Sequence, residues 1–68
     1  MTTTILVYDI ADDRLRAKVA DICLDYGLAR IQYSAFLGEL SANRQGELLQ
    51  KIARRIGRRQ AKVHRFPI

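Results

Sequence analysis

The apolar positions of this chain change their spacing from segment to segment, and each change predicts an element. Ile5-Leu6-Val7-Tyr8 is a short continuous apolar run, which reads as a strand covered on both faces. Leu15, Val19, Ile22 and Tyr26 then recur at helical spacing with Cys23 beside them, while Arg14, Arg16, Lys18, Asp21 and Asp25 fall elsewhere on the wheel. This predicts an amphipathic helix from about Asp13 to Tyr26. Asp12 or Asp13 suits its free amide groups at the start, and Gly27 suits the left-handed conformation that ends it. From Ala29 to Leu40 the β-type residues Ile31, Tyr33, Phe36 and Leu37 give either two short strands or one bent one, with no readable boundary. Ser41 stands as the cap of a second helix, whose apolar face is Leu48, Leu49, Ile52, Ala53 and Ile56 and which Gly57 ends. Finally Ala61 to Phe66 alternates like a half-exposed strand, and Pro67 places it at an edge or at the end of pairing.

Strand, helix, hairpin, helix, strand is an α+β order. It predicts a ferredoxin-like βαββαβ domain over residues 1–68, one antiparallel sheet with both helices on one face. The sequence has no internal repeat, linker or low-complexity segment. A domain of 68 residues has a core worth only about 3–5 kcal/mol. Some further support is expected, and the single cysteine, Cys23, excludes an internal disulfide. Self-association is the remaining source, and the open face of the sheet is the natural place for a second copy. The amino terminus, Met1-Thr2-Thr3-Thr4, has no basic region, and the apolar run after it is too short for a signal peptide or a membrane span. A soluble cytoplasmic protein without membrane contact is expected.

Charge sharpens this picture. Residues 1–47 carry five basic and seven acidic side chains, whereas residues 48–68 carry Lys51, Arg54, Arg55, Arg58, Arg59, Lys62 and Arg65 and no acid. The balances, −2 and +7, sum to the formal net charge of +5. So one-sided a distribution builds a positive field that favours a polyanion such as nucleic acid. The plainer reading of any one of these residues is a solvated helix face.

Candidate chemistry begins with Asp9, an acid delivered to the carboxyl edge of the sheet by the first strand, where ligands usually bind. Taken alone, an aspartate after a strand more often satisfies amides of the following turn. Asp12 and Asp13 belong with helix capping. His64 has no neighbouring nucleophile and reads as a surface or phosphate-contacting residue; Cys23, Tyr26 and Tyr33 read as packing.

Taken together, Val7-Tyr8-Asp9-Ile10, Asp12-Asp13, Arg16, the run Gly27 to Phe36, Gly38-Glu39-Leu40 and the closing Arg65-Phe66-Pro67-Ile68 resemble CRISPR-associated protein two. That family is the small partner of the spacer integrase, CRISPR-associated protein one, in prokaryotic adaptive immunity. The resemblance covers nearly the whole chain. It implies a symmetric homodimer in which first-strand acids, here Asp9 with Tyr8 beside it, face each other across the two-fold axis and share one magnesium ion. It also implies metal-dependent phosphodiester hydrolysis, as an endoribonuclease or endonuclease, and binding of DNA or RNA. Arg16, Arg30 and Phe36 match positions near the same cleft or its hairpin. Lys18 stands where some relatives carry arginine, and loses the bidentate fork that suits phosphate. Phe36 is either a stacking residue or packing. Arg54, Arg55, Arg58 and Arg59 complete the expected nucleic-acid contacts. Family members usually continue beyond the Phe-Pro-Ile-like segment, so this sequence is read as a truncated form or a short member.

Two other readings stay open: a DNA-binding scaffold in which Asp9 is dispensable, and a toxin-like endoribonuclease of the virulence-associated type. An RNA-recognition module is disfavoured because its aromatic signature for base stacking is absent. A small-molecule regulatory domain would leave the basic carboxyl-terminal third unexplained.

Overall fold

Both helices start and stop where capping chemistry directs. In the computed structural model, which describes residues 2–67, the elements are β1 (Thr2–Asp9), α1 (Asp13–Asp25), β2 (Ala29–Gln32), β3 (Ala35–Leu40), α2 (Ala42–Ile56) and β4 (Lys62–Pro67). Asp12 caps α1 by accepting the Leu15 amide at 2.9 Å, a bond that holds its carboxyl below the ordinary aspartate range. Ser41 caps α2 through the Arg44 amide at 3.2 Å. Gly27 and Gly57, at φ 83° and 58°, take the positive angles that let the chain leave each helix. The open boundary between Ala29 and Leu40 resolves into a hairpin that turns at Tyr33-Ser34, with a register shift between Arg30 and Gln32.

The four strands form one antiparallel sheet in the order β2-β3-β1-β4. This is the expected ferredoxin-like α+β arrangement, with β4 at an edge as Pro67 suggested; Met1 and Ile68 lie outside the described residues. The register assigns each side chain to a face. Thr4, Leu6 and Tyr8 of β1 are buried on the helical side with Phe36 and Leu40 of β3. There they meet Leu15, Val19 and Cys23 of α1 and Leu48 and Ile52 of α2, and these residues are the core. Burial in that core pushes the Cys23 thiol up to about 11.

The other face corrects one expectation. Ile5 and Val7 are only partly covered, because both helices lie on the opposite side. The apolar run of β1 is therefore buried on one face in the single chain. Ile5 sits between Leu37 and Phe66, and Val7 between Ala35 and His64. Phe66 is 53% exposed and Ile31 47%, so this sheet face is apolar and open.

Two polar residues, Thr4 and Gln45, were not anticipated in the core. Gln45 on α2 is buried, donates to the Leu40 carbonyl at 3.1 Å and accepts from the Arg65 guanidinium at 2.5 Å. Arg65 is thereby tied to α2 from β4. No helix among the described residues is long and apolar enough to cross a membrane.

Candidate functional site

The carboxyl end of β1 gathers most of the candidate residues, because the β2–β3 turn, the start of α1, the end of α2 and the start of β4 all meet there. Asp9 is exposed at the last position of β1, on the open face, directly opposite Lys62 of β4. Ala11, Arg59, Gln60 and Ala61 complete a shallow depression around it. Among the described residues, no group of three or more histidine, cysteine, aspartate or glutamate side chains is placed to hold a metal ion. A single chain thus brings one carboxylate, flanked by cations.

Tyr8, the neighbour of Asp9, points the other way, as alternation along a strand requires. It is 2% exposed, its ring stacks with Phe36 at 6.1 Å, and its hydroxyl is buried without a hydrogen-bond partner among the described residues. Burial pushes that hydroxyl above the ordinary tyrosine range, opposed by the nearby Arg30 guanidinium, which stops short of hydrogen-bond geometry. Phe36 has no exposed surface at all. The expected nucleic-acid contacts from Tyr8 and Phe36 are therefore corrected: both side chains are core, enclosed between the sheet and the helices, and no base can reach them.

Arg16 and Arg30 do come together, around Tyr33. Arg16 donates to the carbonyls of Ile10 at 2.9 Å and Ala11 at 3.4 Å, to the Tyr33 hydroxyl at 3.0 Å, and to the Asp13 carboxylate. Most of its fork is thus engaged in fastening the β1–α1 loop to the hairpin. Arg30 lies over Phe36 at 5.2 Å and near Tyr33 at 5.9 Å. Tyr33 itself is 65% exposed. Its reading as packing is overturned: it stands at the hairpin turn, outside the core.

Arg54, Arg55 and Arg59 line a groove with Arg14 and Lys18 of α1. Five cations thus flank one channel between the two helices, on the opposite side of the sheet from the open face. Arg58 is exposed beyond the end of α2 and does not line it. Arg14 went unrecognised in the sequence. The available signal was its i,i+4 spacing to Lys18, which puts both on one stripe of α1. A channel of this kind offers several phosphate contacts in a row and no pattern of donors for reading bases.

The CRISPR associated protein Cas2 family model matches residues 1–68. The chain belongs to that family. Among its relatives, the CRISPR-associated endoribonuclease Cas2 of Desulforudis audaxviator is 46% identical over 65 residues, covering 96% of this chain and 61% of the relative. A second, the CRISPR-associated endoribonuclease Cas2 2 of Chloroflexus aurantiacus, is 53% identical over 62 residues, covering 91% of this chain and 73% of the relative. A CRISPR-associated endonuclease Cas1/endonuclease Cas2 fusion of Thermoproteus tenax is 45% identical over 64 residues, 94% of this chain and 24% of the fusion. Among solved structures, the crystal structure of a hypothetical protein TT1823 from Thermus thermophilus superimposes with a TM-score of 0.90 at 28% identity, covering 98% of this chain and 80% of that one. This Cas2-family chain therefore spans about 61% and 73% of the length of the first two relatives.

Proposed function

We propose that this chain acts in CRISPR adaptation as a pair of identical subunits that holds nucleic acid by its phosphates and cleaves phosphodiesters with magnesium at Asp9. The observation that carries the reading is the position of Asp9: exposed, at the end of a central strand, and on the apolar open face where a second copy would lie. The names of the relatives, endoribonucleases and a fusion of Cas1 with Cas2, support the chemistry and the partner.

The donor set fits magnesium only in a pair. One carboxylate is too few for a chelating site, whereas two related by a two-fold axis give hard oxygen ligands to an ion that keeps several of its waters. Magnesium held by the two Asp9 carboxylates would supply Lewis-acid polarisation of a phosphodiester and a hydroxide nucleophile near neutral pH. The remaining work falls to the chain. Lys62 and Arg59 beside Asp9 attract the phosphate, and the helical groove holds the flanking backbone. Arg16 acts as a positioning residue, since its bonds to Ile10 and Ala11 fix the loop that follows Asp9.

Replacing Asp9 with alanine tests the reading. Purified Asp9→Ala protein should bind oligonucleotides normally and lose magnesium-dependent cleavage. Undiminished cleavage would remove Asp9 from the chemistry. Spacer acquisition that survives the substitution, with an integrase of the Cas1 type present, would favour the scaffold. That second reading draws on the same geometry, since a lone carboxylate between Lys62 and Arg59 also serves as a charge-balancing surface residue.

A further inference from the structure

We infer that Tyr33, with Arg16 and Arg30, forms a stacking platform for an unpaired nucleobase, a binding site separate from both the Asp9 cleft and the helical groove. The inference rests on the proposed nucleic-acid binding and names a component of it. Three observations meet here. First, Tyr33 is 65% exposed at a two-residue hairpin turn, although the β-type sequence around it suits a buried aromatic.

Second, the ring is not a loose side chain. The Arg16 Nε donates to its hydroxyl at 3.0 Å, the Arg16 guanidinium carbon is 5.2 Å from the ring centroid, and that of Arg30 is 5.9 Å away. Arg16 is itself anchored to two backbone carbonyls and Asp13, so the ring is held before any ligand arrives. Preorganisation of this kind lowers the ordering cost of binding. A flat π-surface flanked by two cations matches a nucleotide, whose base stacks while its phosphate meets a guanidinium.

Third, the platform adjoins the channel. Asp13, Arg16, Ala17, Arg30 and Tyr33 line one hollow, and Arg14 and Lys18 line the groove on the far side of the same first turns of α1. Both hollows border the start of α1, so a strand held in the groove and crossing that helix would bring a nucleotide to Tyr33. Base pairing would keep that nucleotide's face in the helical stack, so the site selects a single-stranded segment or an overhang.

The test is fluorescence anisotropy with four probes of one sequence: single-stranded DNA, single-stranded RNA, blunt duplex DNA, and the DNA strand with abasic sites. Tyr33→Ala should weaken binding to the intact single strands about tenfold, the effect of losing one stacked base. Tyr33→Phe, which keeps the ring and loses only the hydroxyl bond to Arg16, should stay within about twofold of wild type. Blunt duplex should be insensitive to both, and wild type should hold the abasic strand as weakly as Tyr33→Ala holds the intact one. A loss on both DNA and RNA assigns the site to the base, and a loss on one assigns it to that nucleic acid. Unchanged affinity of Tyr33→Ala for every probe would overturn the platform alone. So would an equal loss on blunt duplex or abasic strand, which would mean phosphate contact. Failure of wild type to bind any probe would overturn the platform and the proposed function together.

Discussion

The two faces of the sheet belong to the same four strands and have opposite fates. On the helical face, Thr4, Leu6, Tyr8, Phe36 and Leu40 are almost fully enclosed under α1 and α2. On the open face, Ile5, Val7 and Leu37 are half-covered, and Ile31 and Phe66 are about half exposed. Both are apolar, so hydropathy alone does not distinguish them; what differs is whether this chain supplies the cover. The helical face makes the fold, and the open face, with Asp9 at its rim, is where the proposed second copy would lie.

Damage to the helical face should have the largest effect. Phe36→Ala empties the centre of the core and costs about 3–5 kcal/mol, as much as a core of this size supplies. That variant should be unfolded by circular dichroism at 25 °C. Val7→Glu on the open face should leave the single chain folded, because Val7 is only partly covered there, while weakening self-association by more than about tenfold in sedimentation equilibrium. If both substitutions unfolded the chain equally, the two faces would not divide fold from assembly.

The contrast also explains what could be read in the sequence. Helical periodicity, the starts at Asp12 and Ser41 and the stops at Gly27 and Gly57 are local signals, and α1 and α2 follow them. The covering of β1 is a question of which layer lies above it, and a continuous apolar run cannot say whether the second layer belongs to the same chain. The hairpin boundary was hidden because Tyr33-Ser34 lacks the glycine, proline or asparagine that usually marks a turn. Without that boundary the register of β3 was unknown, and register decides that Phe36 faces the helices. Tyr33 was misread for the same reason. The basic carboxyl-terminal third was legible as charge, but the part of Arg14 and Lys18 in the groove needed the packing of α1 on α2.

Smaller effects sharpen the division. Replacing Arg54, Arg55 and Arg59 with glutamine should leave stability within about 0.5 kcal/mol, since all three are exposed. Their loss should weaken binding of unrelated duplex sequences alike and flatten its logarithmic salt dependence by about 0.9 for each phosphate contact removed. The smallest effect concerns pH. Burial raises the Cys23 thiol to about 11 from an ordinary 9.0, so the folded chain keeps a proton that the unfolded chain gives up. Stability should therefore be level below pH 9 and fall as pH rises toward about 11, and Cys23→Ala should remove that part of the slope in denaturant titrations. The raised hydroxyl of Tyr8 acts in the same direction at higher pH.

Convergence of two Asp9 side chains in one cleft is the claim on which the hydrolytic reading stands, and a distance measurement between subunits tests it most directly. In a Cys23→Ala background, a spin label introduced through Asp9→Cys should give one narrow inter-subunit distance. That distance should be shorter than the one from a label introduced through Glu47→Cys on the helical side. A label at position 9 that shows no inter-subunit coupling, or a longer distance than the label at position 47, would contradict the account.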